Sequence, residues 1–205
     1  MKKLSTSKQM AINMVAAIVS FLIGTGINFV LAPYLVKELG SETYGFIGLA
    51  NNFVQYATIV TSALNSMSGR FISIEYSKGN IDKASRYFSS VLVADLIIAG
   101  VLLLVSSIIT FNIEFILNVP ENLVDSVKIL FALTFATFII SVITAIFTTA
   151  AFVKNKLYIN SLRDIASNTL KLLLVVILFS FFPAKVYFLA MASLASGIFL
   201  LLTNI

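Results

Sequence analysis

The chain has 205 residues, of which 59% are hydrophobic and only 11% are charged, and its formal net charge is +5. Soluble globular domains are about 45–50% apolar and about 25% charged, so this composition excludes an ordinary soluble domain and indicates a membrane protein. The chain contains neither cysteine nor histidine, which excludes disulfides, thiolate nucleophiles, thiolate or imidazole metal sites and imidazole catalysis. We therefore expect no metal, no cofactor and no enzymatic activity.

Six apolar stretches predict six transmembrane helices, because a spanning helix needs about 20 mostly apolar residues. The predicted spans cover residues 10–34, 44–69, 87–111, 127–152, 165–182 and 186–205. We find no soluble domain and no low-complexity tract between them. The predicted fold is therefore all-α, a single six-helix transmembrane lobe over residues 1–205.

The lysines and arginines fall mainly on one side of the predicted membrane. With the N-terminus in the cytoplasm, the basic residues outside are Lys37, Lys128 and Lys185, and the other eleven of the 14, Lys2 and Lys3 among them, lie inside. This bias predicts that both termini are cytoplasmic. Because the basic residues are dispersed among short loops, we expect no nucleic-acid partner.

Short turns separate the predicted helices. Gly40 follows the first helix, where a left-handed backbone is easy for glycine, and Ser41 is a predicted N-cap of the second. Gly79 and Asn80 predict a turn, with Asn80 capping a short surface helix that begins at Ile81 and leads into the third span. The first two helices are therefore expected to form a tight hairpin.

Three spans carry a polar stripe when residues are placed at about 100° intervals around a helix. The first span contributes Asn13, Ser20, Gly24 and Asn28; the second contributes Asn51, Asn52, Gln55 and Asn65; the fourth contributes Thr134, Thr137, Ser141, Thr144 and Thr148. Small residues and hydroxyls can serve helix packing alone, since a threonine can bond back to its own helix. Amides are costly without partners in an apolar medium. We therefore predict that the six amides line a wetted substrate cavity, and the alternative is that they only hold helices together.

Three charged residues lie in or beside predicted spans. Asp95 is the only acid placed within a span, where it could couple transport to an ion or simply bond to a neighbouring helix. Lys171, near the start of the fifth predicted span, either snorkels to the inner interface or meets an anionic ligand. Arg70, which closes the second span, either contacts a phosphate bidentately or anchors the helix at the membrane surface.

One region resembles a known family. The segment NFVLAPYLVKELGSETYGFIGLANNFVQYATIV (residues 28–60) is followed by SGR at 68–70 and GNIDKASRYF at 79–88. The proline near the end of the first helix and the pattern LG-x-x-x-YG opening the second resemble the N-terminal region of bacterial polysaccharide, or O-antigen, flippases. These belong to the multidrug/oligosaccharidyl-lipid/polysaccharide exporter superfamily, whose members usually have two six-helix lobes around a central cavity.

The resemblance implies one lobe of a MATE-like transporter in the bacterial cytoplasmic membrane. It implies translocation of an undecaprenyl-pyrophosphate-linked oligosaccharide by alternating access, for surface polysaccharide such as lipopolysaccharide. The implied partners are membrane lipids, the lipid-linked substrate and a second six-helix lobe. Relatives that flip peptidoglycan precursor carry arginines inside their early helices, whereas spans one and two here have none, so a pyrophosphate contact would fall to Arg70, another inner cation or the second lobe.

Alternatives remain for both function and extent. A cation-coupled multidrug exporter of the same superfamily could use Asp95 and aromatic residues, and a non-transporting six-helix interaction protein would use the polar stripes for packing. The chain ends at Ile205 inside an apolar run, which suggests truncation before a second lobe. A short protein that dimerises is the alternative.

Overall fold

The computed structural model describes residues 6–204, and within that range the chain is helical apart from short turns. The helices are α1 (Thr6–Leu39), α2 (Ser41–Ser77), α3 (Ile81–Phe111), α4 (Ile113–Ile116), α5 (Val124–Val153), α6 (Leu157–Phe181) and α7 (Phe188–Asn204), with a 3₁₀ turn at Glu121–Leu123. The all-α prediction is confirmed for these residues. Lys2 and Lys3, which the orientation prediction uses, and Ile205, which ends the sixth predicted span, lie outside the described residues.

Among residues 6–204, four helical stretches are long and apolar enough to cross a membrane: Ser7–Leu39, Ile81–Phe111, Glu121–Val153 and Leu157–Phe181. Helix α7 is apolar but has only 17 residues. Helix α2 has 37 residues, yet it is the least apolar of the long helices because of its amides and hydroxyls. The chain is thus a multi-pass membrane protein, and the count of six spans stays a prediction.

Helix α5 is the centre of the bundle. It packs against α2, α3 and α7, and α2 and α3 also pack against each other. Helix α6 packs against α7 and α1, whereas α1 and α2 share a much smaller contact although a single residue joins them. The helices therefore form an open arc in which α2 and α6 face each other across a gap.

Apolar side chains pack most densely at the end of the bundle that holds the α1–α2 turn. Phe53, Phe131 and Phe135 form edge-to-face pairs with ring centroids 5.8–6.5 Å apart. A second cluster joins Leu35 of α1 to Val175 of α6, and both are almost fully buried. This packing lies at the predicted outer end of the bundle.

The α1–α2 hairpin is tighter than its sequence suggested. Gly40 is the single linking residue and has φ 81°, as predicted for a glycine turn. Ser41 is already the first residue of α2, and Gly40 occupies the N-cap position. The N-cap prediction for Ser41 is wrong because one residue suffices to join the helices.

The α2–α3 turn also differs in detail. Gly79 has φ 82°, which the turn requires, and Asn80 occupies the N-cap position of α3. The Asn80 side chain, however, donates to Glu75 Oε2 at 3.0 Å and caps nothing. Helix α3 is continuous from Ile81, so the separate surface helix predicted there is absent from residues 81–111.

Helix α6 begins earlier than its predicted span. Residues 157–164 were expected in a loop, and they form the first two turns of α6. Their polar side chains lower the hydropathy of the segment but are compatible with a helix. The turn is confined to residues 154–156, where Asn155 adopts φ 54°, a left-handed conformation that asparagine tolerates.

Candidate functional site

A cavity of about 290 Å³ lies in the gap between α2 and α6, which we call the Lys171 cavity. Its polar lining is Asn51 and Thr58 from α2, Thr134, Thr137 and Ser141 from α5, Lys171 from α6 and Ser193 from α7. No acidic residue lines it in the described part of the chain. The structure thus brings together two residues that the sequence placed in separate hypotheses, Asn51 and Lys171.

Four hydroxyls of this cavity, on α2 and α5, donate their protons to backbone carbonyls. Thr134 and Thr137 of α5 each donate to the backbone carbonyl four residues earlier at 2.8 Å. Thr58 of α2 does the same at 2.8 Å, and Ser141 donates to Phe138 O at 2.7 Å. The threonines therefore bond back to their own helices, as the packing interpretation expected. Their oxygens still hold free lone pairs, so they offer hydrogen-bond acceptors to a ligand in the cavity.

Lys171 lies deep in α6. Because α6 starts at Leu157, Lys171 follows its first residue by about 21 Å at 1.5 Å per residue. Helix α6 therefore begins about two turns before the predicted start of the fifth span, and Lys171 lies near the middle of the helix. Its two alternative roles, at the inner interface or on an anionic ligand, stay predictions. The side chain is half-buried, and among residues 6–204 no carboxylate forms an ion pair with it.

Three of the other predicted amides are exposed on the helix surfaces. Asn52 and Gln55 of α2 and Asn28 of α1 are all exposed, and none of them lines the Lys171 cavity. Asn51 is exposed as well, but it is the one of the α2 trio that faces this cavity. The three other amides stay predictions for a larger chamber.

A second cavity, of about 830 Å³, lies nearer the α2–α3 and α5–α6 turns, and we call it the Arg70 cavity. Asn65, Ser66, Gly69, Arg70, Ser73 and Ile74 line it from α2, Thr148, Thr149 and Phe152 from α5, and Leu157 and Asn160 from α6. Two residues predicted to act on a substrate, Asn65 and Arg70, therefore share this cavity. Like the first cavity, it has no acidic lining residue among those described.

Two amide oxygens of the Arg70 cavity are buried without a hydrogen-bond partner. They are Asn65 Oδ1 on α2 and Asn160 Oδ1 on α6. Asn160 Nδ2 donates to Thr148 O at 3.2 Å, which aims the amide at α5. Sequence reasoning missed Asn160 because it assigned residues 153–164 to a loop. A helix started at Leu157 would have placed Asn160 one turn into α6.

Asn13 has a different environment from the other predicted amides. It is 7% exposed, and its Nδ2 donates to Asn155 Oδ1 at 2.9 Å and to Asn155 O at 3.2 Å. Its Oδ1 accepts the backbone N–H of Tyr158 at 3.1 Å. Asn13 therefore fastens α1 to the turn between α5 and α6 and lines neither cavity.

The α1–α6 contact is close further along as well. A Cβ added at Gly24 would lie 3.3 Å from Asn168 Nδ2. The glycine thus lets the two helices approach, which supports the packing interpretation of this residue.

Asp95 lies inside the packed face of α3. It is 2% exposed, it shares its helix face with buried Ala84 and Ala99, and its Oδ2 has no hydrogen-bond partner. Helix α3 packs on α2 and α5, so the carboxyl faces those helices. It lines neither cavity, and its role in ion coupling stays a prediction.

One charged cluster escaped the sequence analysis. Glu75 of α2 is 7% exposed and accepts hydrogen bonds from Asn80 Nδ2 at 3.0 Å and Lys78 Nζ at 3.2 Å, with Lys83 Nζ 3.7 Å away. The hydrogen bond from Asn80, then the one from Lys78, holds the pKa of the Glu75 carboxyl below its ordinary value. The sequence feature that could have indicated this cluster is one acid, Glu75, near the Gly79-Asn80 turn and the lysines on either side of it.

Comparison with known proteins extends this description. The sequence profile of the family described as "Polysaccharide biosynthesis protein" matches residues 10–204. The chain belongs to this family. It is also 33% identical over 187 residues to a relative from Bacillus subtilis (strain 168), the "Uncharacterized membrane protein EpsK". No solved structure matches the chain.

The family assignment confirms the resemblance seen in residues 28–88. The alignment with the Bacillus subtilis relative covers 91% of this chain and 37% of the relative, so the chain spans little more than a third of that protein's length. The chain is thus a membrane protein of a polysaccharide biosynthesis family. In the membrane its exposed apolar side chains contact lipids.

Proposed function

We propose that this chain forms one lobe of a flippase that moves an undecaprenyl-pyrophosphate-linked oligosaccharide across the bacterial cytoplasmic membrane by alternating access. The observation that supports the proposal most is the lining of the Lys171 cavity, which combines hydroxyl oxygens, the Asn51 amide and one ammonium, with no acid among the described residues. Sugars are rich in hydroxyl donors, and the backbone-bonded hydroxyls of α2 and α5 present acceptors to them. Family membership supports the polysaccharide context.

The charge of the two cavities supports an anionic cargo. Lys171 lines one cavity and Arg70 the other, and no described acidic residue lines either. A pyrophosphate linkage carries the complementary negative charge, since ammonium and guanidinium groups bind phosphate oxygens by charge-assisted hydrogen bonds. A cationic drug would meet repulsion in both places. The multidrug-exporter alternative is therefore the weaker of the two transport functions.

The open arc of helices supports a two-lobe transporter. Helices α1 and α2 have little contact with each other, and Phe29 of α1 and Tyr56 of α2 are 81% and 74% exposed. A second six-helix lobe, supplied by a longer chain or by a second copy, would close the gap between α2 and α6 into a central chamber. In that chamber Asn28, Asn52 and Gln55 would also face the substrate.

The experiment is a translocation assay in reconstituted vesicles. Lipid-linked oligosaccharide with a labelled sugar is placed in the inner leaflet, and its appearance outside is followed by digestion with an added glycosidase. The 205-residue chain is compared with the product of any reading frame that continues past Ile205. We expect Lys171→Gln to slow translocation about tenfold, equivalent to about 1.4 kcal/mol.

The matched control is Lys185→Gln, which removes an exposed lysine that lines neither cavity. Equal translocation by both lysine variants would contradict the role of the Lys171 cavity. Export of cationic dyes with no movement of the lipid-linked sugar would favour the multidrug exporter. If neither cargo moved in any arm, the non-transporting interaction protein would be favoured.

A further inference from the structure

An open groove of about 510 Å³ lies between α1 and α6, and we call it the α1–α6 groove. Its lining residues are Ala11, Ile12, Val15, Ala16 and Val19 of α1 and Tyr158, Leu162 and Ile165 of α6. None of them lines the Lys171 cavity or the Arg70 cavity. Every lining side chain except that of Tyr158 is apolar, and Val15 and Leu162 are each 57% exposed. Such a surface binds hydrocarbon better than it binds a sugar or an ion.

The groove runs along the helices from one end of the bundle. Helices α1 and α6 run in the same direction, because Asn13 accepts the backbone N–H of Tyr158 and Gly24 lies against Asn168 further along. The α6 wall extends over residues 158–165, which is about 10 Å at 1.5 Å per residue. Since the hydrocarbon of one leaflet is about 15 Å thick, an acyl chain can follow the groove over most of that depth.

Lys8 lies at the end of this groove on α1. It precedes Ala11, Ile12 and Val15 by three, four and seven residues, and residues at these spacings share one face of a helix. The Lys8 side chain is exposed, and none of the ion pairs among residues 6–204 involves it. A cation therefore lies in line with the apolar wall of α1, about one turn closer to the start of the helix.

The α6 wall has cations at the same end. Lys154 and Lys156 belong to the turn immediately before α6, and both are exposed. Asn13 holds this turn against α1 through its hydrogen bonds to the side chain and the backbone carbonyl of Asn155. No acidic residue lines the groove in the described part of the chain. The charge bias of the sequence predicts that this end is cytoplasmic, so the lysines lie at the depth of the inner lipid headgroups.

We infer that the α1–α6 groove binds an anionic phospholipid of the bilayer, with one acyl chain between α1 and α6 and the headgroup phosphate at Lys8 and Lys156. Such a lipid carries hydrocarbon and a negative charge in the order in which the groove and the lysines follow each other. The inference goes beyond the proposed function, because it concerns a different surface from the two cavities and holds for any cargo.

The lysines decide the class of occupant. A zwitterionic lipid has a cation in its headgroup, and this cation opposes the attraction of its phosphate to the lysines. A second copy of the chain is also disfavoured. Two copies that met through this groove in the same membrane orientation would bring their lysines together at the same depth, where they would repel each other.

The binding experiment uses the absence of tryptophan from the chain. Val15→Trp and Leu162→Trp each place a single reporter on one wall of the groove. The control Leu104→Trp places one on α3, at a side chain that is 65% exposed and does not line the groove. Each full-length variant is reconstituted in phosphatidylcholine bilayers with increasing amounts of brominated phosphatidylglycerol or brominated phosphatidylcholine, because a brominated acyl chain quenches a tryptophan that it contacts.

Both groove reporters should prefer the anionic lipid. We expect brominated phosphatidylglycerol to bind at Val15→Trp and Leu162→Trp about fivefold more tightly than brominated phosphatidylcholine, which is the effect of about one lysine beside an anionic headgroup. The reporter at Leu104→Trp should show equal affinities. An equal affinity of the groove reporters for the two lipids would overturn the inference. This comparison is made within one protein and does not depend on any lysine variant folding.

Removal of the lysines tests the position of the headgroup. Lys8→Gln combined with Lys156→Gln should reduce the fivefold preference of the groove reporters to about one. The control Arg86→Gln removes an exposed arginine of α3 outside the groove and should leave the preference unchanged. A preference that survives the loss of both lysines would contradict the assigned headgroup position and so overturn the inference.

Another occupant would give a different pattern of quenching. If a protein helix covered the groove, neither brominated lipid would quench the groove reporters, while both would quench Leu104→Trp, and the inference would be overturned. Translocation activity is independent of this result. A protein that binds the anionic lipid but moves no lipid-linked sugar would contradict the proposed function and support this inference.

Discussion

Asn13 of α1 and Asn51 of α2 are the same residue type in adjacent helices, yet their surroundings are opposite. Asn13 is 7% exposed and bonds to Asn155 and Tyr158, whereas Asn51 is exposed and lines the Lys171 cavity. The difference arises because α1 packs closely on α6 while α2 faces the gap. An amide within a membrane helix therefore indicates either a structural bond or a ligand site, depending on the neighbouring helix.

The largest expected effect is on stability, and it distinguishes the structural role of Asn13 from the ligand-binding role of Asn51. Asn13→Leu removes three hydrogen bonds to Asn155 and Tyr158, and we expect the free energy of unfolding to fall by about 3 kcal/mol, since each bond contributes about 0.5–1.5 kcal/mol. The measurement is thermal unfolding of the purified protein in detergent. Asn51→Leu is the control and should change stability by less than about 0.5 kcal/mol. Equal losses in both variants would abolish the distinction.

The exposed amides should instead affect transport. Replacing Asn51, Asn52 and Gln55 together by leucine removes about three hydrogen bonds to a sugar, each contributing about 0.5–1.5 kcal/mol. We expect translocation of the lipid-linked sugar to fall about 30-fold or more, with little change in thermal unfolding. A triple variant that translocates normally would leave these residues without the proposed role.

A third prediction concerns Lys171, whose replacement by leucine should increase the stability of the protein. A lysine at the centre of a membrane helix is unfavourable by about 2.5–3.5 kcal/mol on insertion scales, and Lys171 is only half-buried beside a polar cavity. We expect Lys171→Leu to raise the free energy of unfolding by about 1 kcal/mol, while translocation falls as it does in Lys171→Gln. A destabilised Lys171→Leu protein would show that the lysine has a structural partner.

The smallest effect concerns the Glu75 cluster and its pH dependence. The pKa of Glu75 is lowered from its ordinary value of 4.5, so its contribution to stability is complete above about pH 4.5 and is lost as the pH falls through the lowered pKa. The stability difference between the parent protein and Glu75→Gln should therefore be constant near neutral pH and shrink below 4.5. Asn80→Ala removes the hydrogen bond that contributes most to lowering the Glu75 pKa. In this variant the loss of stability should therefore occur at higher pH. A difference that persists unchanged to pH 3 would be inconsistent with this account.

The sequence predicted the helices better than it predicted their lengths. Hydropathy locates apolar segments, so the predicted second, third and fourth spans all lie within α2, α3 and α5. Hydropathy does not detect helical turns made of polar residues. The predicted fifth span therefore begins at residue 165, and Lys171 falls near its start, whereas α6 begins at Leu157. The predicted start is thus eight residues, or about two turns, later than the observed start at Leu157.

Helical periodicity predicted parts of the candidate site and missed others. It grouped Asn51 with the polar stripe of α2, and Asn51 does face a cavity. It could not show that Asn13 has its partners in a turn more than 140 residues away, nor that Asn160 joins Asn65 and Arg70. These are contacts between helices distant in sequence, and the periodicity of one helix holds no information about them.

Two long helices, α1 and α2, are joined by one residue, Gly40. Helices of 34 and 37 residues meet there, and each is about 50 Å long at 1.5 Å per residue. A rotation of about 10° at this glycine would displace the far ends of the two rods by about 9 Å relative to each other. That distance approaches the width of a helix, so a small change of angle at Gly40 corresponds to a large change in the separation of the far ends of α1 and α2.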